Sequence, residues 1–203
     1  MRPLDLLDRP WLWELSRVGL DAAFGLYRKR VALLSAWGVL GGQPSLLDIG
    51  CGIGQYSRIT EGEYLGVDLN ARYVEHARNR RRGENREFRC ADVTTLHTEG
   101  LVFDVVLMVD VLHHLSDDQC VELLGAAGRL ARRHVVSFEP ITEQTHPVGR
   151  WIVDNDRGDY VRPLRGLHAL FEASRLPMER SVALRLGPID TRAVLCGPAA
   201  GQG

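Results

Sequence analysis

The segment Ser45-Leu46-Leu47-Asp48-Ile49-Gly50-Cys51-Gly52-Ile53-Gly54 constrains this chain more than any other. A short apolar run that ends in three alternating glycines reads as a strand entering a tight turn. Glycine has no Cβ, so such a turn can bring the backbone close to a ligand before the next helix begins. The spacing is GxGxG with an acid two residues before the first glycine, and Gln55 stands where a dinucleotide fingerprint would place its third glycine. That departure weakens a nicotinamide-dependent oxidoreductase reading.

The rhythm set by this segment continues. Short apolar runs at Leu46 to Ile49, Tyr64 to Val67, Glu87 to Cys90, Phe103 to Val109 and His134 to Phe138 are each followed by helix-compatible sequence. Runs that are apolar on both faces predict strands buried in a parallel sheet with helices on either side. Near the C-terminus, Arg180 to Leu186 and Thr191 to Cys196 are separated by Gly187-Pro188, which leaves no room for a crossover helix. These two predict an antiparallel hairpin. The first 40 residues are helical in pattern: Asp8 and Pro10 can open a helix, and apolar residues recur through Leu12, Leu15, Phe24, Tyr27, Val31, Leu34 and Trp37. Gly41-Gly42-Gln43-Pro44 ends that region.

Composition narrows the functional classes. The 203 residues carry 25 basic and 26 acidic side chains, a net charge of −1, so no basic excess marks a nucleic-acid surface. The charge run Arg78 to Arg82 reads as the solvated end of a helix. Lys29 is the only lysine, which leaves almost no candidate for Schiff-base chemistry. Cys51, Cys90, Cys120 and Cys196 lie far apart, with no CxxC pair and no histidines at zinc spacing, and predict a reduced, metal-free chain. Aspartates occupy the place of a signal peptide's apolar run, and the longest uncharged stretch, Val31 to Leu47, is too short and too broken to span a bilayer. A soluble cytoplasmic protein without a membrane partner is expected.

With its acids in order behind the glycine turn, the sequence from Ser45 to Cys196 resembles the class I S-adenosylmethionine-dependent methyltransferases, of the small stand-alone bacterial type that acts on small molecules. The resemblance implies an α/β fold: a doubly wound, Rossmann-like, seven-stranded, mostly parallel sheet with a C-terminal antiparallel hairpin, in three α/β/α layers. It divides the chain into a helical cap or lid at 1–44 and a cofactor-binding domain at 45–203, a single domain overall. By the resemblance, Asp48 helps hold the methionyl ammonium of S-adenosylmethionine, and Gly50, Cys51, Gly52 and Gly54 wrap its amino-acid part and ribose. Asp68, with Leu69 beside it, accepts from the ribose hydroxyls, and Asp92 accepts from the adenine amino group while the Val93 N–H meets the ring. A carboxylate accepts two hydroxyl hydrogen bonds at once, and this cofactor has no phosphate to neutralise.

The segment Phe103 to Leu115 resembles the fourth strand and following turn of methyltransferases with small acceptors, in which Val109, Asp110 and the residues up to His114 line the cofactor. The element with which relatives methylate nucleobase amino groups is absent. Methyl transfer is an in-line displacement that chiefly needs alignment and exclusion of water, so a base is optional. His114 and His113 are base candidates, as is Glu139 at the end of the fifth strand. The stretch His146 to Arg162 concentrates His146, Trp151, Arg157, Tyr160 and Arg162 as candidate acceptor contacts, with the two arginines suited to an anionic group. The expected function is methyl transfer from S-adenosylmethionine to a small-molecule metabolite, on oxygen or nitrogen, releasing S-adenosylhomocysteine. The alternatives are a protein of this scaffold using the cofactor structurally or for a non-methylating reaction, and the oxidoreductase already weakened.

Overall fold

The computed structural model describes Leu15, Gly19, residues 24–155 and residues 158–199. Seven strands form one sheet: β1 (Leu46–Ile49), β2 (Tyr64–Asp68), β3 (Arg86–Cys90), β4 (Phe103–Val109), β5 (Ala131–Pro140), β6 (Met178–Leu186) and β7 (Ile189–Cys196). Their order is β3-β2-β1-β4-β5-β7-β6. The first five pair in parallel, and β7 runs antiparallel to both β5 and β6. This is the doubly wound sheet and terminal hairpin that the sequence predicts. Strand order reverses between β1 and β4, the switch point at which open sheets of this kind take ligands.

The parallel strands are apolar on both sides because both sides are covered. Leu47, Ile49, Val106 and Met108 join one buried cluster, while Leu46, Val105 and Leu107 join another. Successive side chains of a strand point to opposite faces, so these alternating memberships mark two separate cores. Helices α3 (Asp117–Leu130) and α5 (Leu164–Ala173) cover the first face through Leu124, Ala127, Leu130, Leu170 and Phe171. Helices α1 (Leu26–Ala36) and α2 (Ala71–Arg80) cover the second through Leu34, Val74 and Ala77. Removing one such leucine side chain costs about 2–5 kcal/mol. Ser116 and Gln119 form a reciprocal capping box that starts α3, worth about 1 kcal/mol.

One expected element is missing. Between β1 and β2 the chain makes successive turns, Gly54 N–H to Cys51 O, Ser57 N–H to Gly54 O and Ile59 N–H to Tyr56 O, where the sequence suggests a helix. The connection has room only for residues 50–63, and glycines at 50, 52, 54 and 62 interrupt it. The stretch left between Gly54 and Gly62 spans less than two α-helical turns, too little to offset the cost of nucleating a helix. The Val93–Glu99 connection between β3 and β4 is likewise a 3-10 segment.

After β5 the chain folds back over the sheet edge. Helix α4 (Pro147–Asp154) follows a segment in which the buried Gln144 side chain donates to Ile141 O and Asp190 O and accepts from Asp190 N–H. That amide ties the post-β5 segment to the β6–β7 turn. The N-terminal aromatics Trp11 and Trp13 lie outside the described residues.

Candidate active site

A cavity of about 690 Å³ opens at the carboxyl ends of β1 to β4, within the size range of small-molecule sites. Its floor is the glycine turn. Gly50, Gly52 and Gly54 all have positive φ, at 69°, 52° and 72°, the left-handed region where a side chain is strained. A Cβ on Gly50 would lie 2.6 Å from Val111 Cγ2, so that glycine also lets the β1 and β4 turns meet. Nothing lies within 4 Å of the equivalent point on Gly52, which leaves a backbone cradle on the cavity wall.

Three carboxylates follow in strand order. Asp48, in β1, is 1% exposed and accepts the Tyr64 hydroxyl at 2.6 Å. Burial, with Asp68 nearby, pushes its carboxyl up to about 7 against the opposing effect of the Tyr64 bond. Asp68, closing β2, accepts Gly52 N–H and Asn70 N–H at 2.8 Å, one on each oxygen. A carboxylate has about four lone-pair sites, so it retains capacity for further donors. Asp92 Oδ1 accepts Thr94 N–H and Oγ1–H at 2.9 and 2.8 Å. Leu69 is 73% exposed at the same edge, and Val93 lines the wall. Gly54 itself does not line the cavity; its φ shapes the turn.

The β4 turn is held from two directions. Asp110 has φ 58°, unusual for a non-glycine residue and costing about 1–2 kcal/mol. Arg30 of α1 grips its carboxylate with Nη2 at 2.7 and 2.9 Å and donates Nη1–H to the Tyr56 hydroxyl at 3.2 Å. Burial works against the Arg30 charge, but Asp110 and Tyr56 outweigh it and raise its pKa further. From the other side, buried Glu139 Oε1 accepts Val111 N–H and Leu112 N–H at 2.9 Å, and Oε2 accepts His113 N–H at 3.3 Å. His113 Nδ1 also sits 2.8 Å from Glu139 Oε2. Both histidines line the cavity, His113 buried and His114 exposed, while Glu139 does not line it.

The expected acceptor contacts fall elsewhere. Arg162 spends its guanidinium on the chain itself: Nη1 donates to Leu112 O and Tyr160 O, Nη2 to Leu115 O, and Nε to Asp117. No donor pair remains for an anionic ligand. His146 caps α4, its Nδ1 accepting from Val148 N–H, and Trp151 and Tyr160 are 54% and 45% exposed. None of these four lines the cavity. Arg157 lies outside the described residues.

The lining includes Arg30, Tyr56, Gln119, Glu122, Ile152 and Leu186, none of which motif spacing singles out. Arg30 alone left a signal, as the charged member of the stripe Leu26, Arg30, Leu34 that α1 buries. Among the described residues five carboxylates line the cavity, Asp48, Asp68, Asp92, Asp110 and Glu122, with one arginine, Arg30, which is paired with Asp110. This set of acceptors suits a cationic ligand rich in hydroxyl and amino hydrogens and does not suit a pyrophosphate. Among the described residues no cluster of His, Cys, Asp and Glu is arranged to hold a metal, and no helix is long and apolar enough to cross a membrane.

Residues 46–134 match the methyltransferase domain family. The ubiquinone biosynthesis O-methyltransferase of Coxiella burnetii is 27% identical over 95 residues, covering 42% of this chain and 41% of that protein. The 27-O-demethylrifamycin SV methyltransferase of Amycolatopsis mediterranei is 27% identical over 175 residues, covering 73% of this chain and 63% of its own length. The chain thus matches under two thirds of the length of either relative. Among solved structures, magnesium protoporphyrin IX methyltransferase from Synechocystis with bound SAH superposes with a TM-score of 0.63 at 20% identity, covering 91% of this chain and 83% of that one. The chain has the class I S-adenosylmethionine-dependent methyltransferase fold, and its residues 46–134 match the methyltransferase domain family.

Proposed function

We propose that this protein transfers a methyl group from S-adenosylmethionine to oxygen or nitrogen of a small-molecule acceptor and releases S-adenosylhomocysteine. The observation that carries the reading is the series of backbone cradle and carboxylates at the ends of β1, β2 and β3, Gly52, Asp68 and Asp92, along one cavity whose described lining holds a single arginine, paired with Asp110. Asp68 would hold the ribose hydroxyls and Asp92 the adenine amino group. Asp48 would ionise against the ammonium. Arg30 Nε, buried with no acceptor, is the natural donor to the cofactor's carboxylate. When bound, the cofactor supplies an electrophilic methyl on a cationic sulfur.

The chain's own residues account for the rest. Glu139 takes Nδ1–H of His113, which leaves Nε2 as the basic nitrogen. His113 therefore serves as the base for a protic acceptor, a role generally worth about 10²–10⁴ in rate. Glu139 acts as a positioning residue, because its oxygens already accept three backbone N–H groups and an imidazole. His114 contributes cavity wall. Asp110 and Arg30 fix the β4 turn and join α1, part of the proposed 1–44 cap, to the site.

Thermal denaturation tests the reading: S-adenosylhomocysteine should raise the melting temperature and NAD should not. Stabilisation by NAD alone would overturn it.

A further inference from the structure

The turn that carries His113 is clamped on both of its polar sides. Its N–H groups at 111, 112 and 113 go to Glu139. Its carbonyls go to a different segment: Arg162 donates to Leu112 O and Leu115 O, and Tyr160 N–H donates to His113 O at 3.0 Å. That second segment is itself anchored, because Arg162 O accepts Thr142 N–H and residues 141 and 162 form a parallel bridge just past β5. Helix α4, whose Ile152 and Val153 line the cavity, leads into it through its C-cap Asn155. Cavity wall and clamp therefore belong to one connection between β5 and α5.

Gly158, at the head of this clamp, touches the imidazole itself. A Cβ there would overlap His113 Cδ2 and lie 2.7 Å from His113 O. Its φ is outside the left-handed region, so the backbone conformation does not demand glycine; the space does. Cδ2 and Nδ1 are the two ring atoms bonded to Cγ, and Nδ1 lies 2.8 Å from Glu139 Oε2. One flank of the ring is thus held by a carboxylate and the other by bare backbone. A half-turn about Cβ–Cγ would exchange the flanks, set Cδ2–H against Glu139 and lose a buried hydrogen bond. The partner of one ring nitrogen also sets the tautomer. His113 is 4% exposed and lines the cavity, so its ring orientation decides which ring atoms the cavity meets.

Building on the methyltransferase reading, we propose that Gly158 is a positioning residue for methyl transfer: with Tyr160 and Arg162 it backs His113, holds Nδ1 on Glu139 and so fixes the edge of the imidazole that faces the cavity. Gly158 does not line the cavity and acts only through His113. The role matters because a misplacement of about 1 Å in a reacting group can cost about 10²-fold in rate. It also accounts for the glycine of the Asp156-Arg157-Gly158 triplet, which strand and helix patterning leaves unexplained.

The test reads the histidine rings of ¹⁵N-labelled protein by long-range nitrogen–proton NMR, with His113 assigned through His113→Gln. The unaltered protein should carry the His113 proton on Nδ1, with a downfield Nδ1–H resonance. Gly158→Ala should move that resonance upfield and mix the tautomers. Gly166→Ala, whose Cβ would meet nothing nearer than Pro163 Cδ at 3.5 Å, should change neither. In urea unfolding, Gly158→Ala should lower the folding constant about 5- to 30-fold, and most of that loss should vanish in the His113→Ala background, where the overlap with the ring is gone. If Gly158→Ala alone does not fold, recovery of folding in the double variant supports the inference and failure to recover overturns it. A His113 proton on the other nitrogen in the unaltered protein, a tautomer indifferent to Gly158→Ala, or an equal loss in both backgrounds overturns the inference while the cofactor reading stands. Failure of S-adenosylhomocysteine to bind, with the ring signals as expected, overturns the methyltransferase reading and the role built on it.

Discussion

Replacing Asp48 with Asn isolates the energetic tension at the floor of the site. Asp48 is 1% exposed and its carboxyl is pushed up to about 7 by burial. Its folded pKa therefore lies above the unfolded value near 4, so its stabilising contribution is complete below about pH 4 and lost as pH rises through 7. Between pH 5 and 7 the folded state keeps a proton that the unfolded chain has released. Two pH units at about 1.4 kcal/mol each amount to about 3 kcal/mol, a large share of a typical stability of about 5–15 kcal/mol. Asp48→Asn preserves an acceptor for the Tyr64 hydroxyl and removes the titration. Urea unfolding of both proteins from pH 5 to 8 should show their difference moving by about 3 kcal/mol in favour of Asn. Taking the difference cancels His134 and His168, whose pKa values burial lowers and whose effect has the opposite sign below pH 6.5. Asp104, held low by the Ser45 N–H, titrates below this window. A difference independent of pH would mean that Asp48 is already ionised at pH 5 and would refute the reasoning.

Other substitutions test the frame around the site. Arg30→Ala leaves the Asp110 carboxylate without its partner at a strained φ, and because that side chain is 19% exposed, the loss by urea unfolding should fall near about 3 kcal/mol, the low end for a broken buried pair. Glu139→Gln places amide N–H groups against the backbone N–H groups of 111–113 and should cost about 2–3 kcal/mol, with the His113 Nδ1–H proton resonance moving upfield. Arg162→Ala should raise hydrogen exchange at Tyr160 N–H, which bonds His113 O, at least tenfold, with S-adenosylhomocysteine affinity unchanged. If that affinity falls, Arg162 reaches the cofactor and its assignment to the turn is wrong.

What the sequence reveals and what it conceals divide along physical lines. The strands are legible because burial on both faces forces contiguous apolar residues, so Leu46–Ile49 and Phe103–Val109 read directly from composition. The hairpin is legible because two short runs, Arg180 to Leu186 and Thr191 to Cys196, separated by Gly187-Pro188 admit no crossover. Asp68 and Asp92 reach the cavity wall because Asp68 closes β2 and Asp92 follows β3 at the carboxyl edge of the sheet. The partners of Arg162 are not legible because a guanidinium's contacts are not local: the carbonyls it takes, Leu112 and Leu115, lie 50 and 47 residues away. Arg30 is overlooked for the same reason, its partner Asp110 lying 80 residues along the chain. The α4 wall escapes notice because Ile152 and Val153 look like ordinary apolar residues until the chain folds back over the β5 edge.

The most direct test is calorimetric titration with S-adenosylhomocysteine of the unaltered protein and of Asp68→Ala. Losing the charge-assisted bonds to the ribose, generally worth about 1.5–3 kcal/mol, should weaken binding about 10- to 150-fold, while the variant still unfolds cooperatively at a midpoint lowered by the loss of the acceptor for Gly52 N–H and Asn70 N–H. One-to-one binding that weakens in this way supports the assignment of the cavity. No binding by the unaltered protein, or equal affinity in the Asp68→Ala variant, contradicts it.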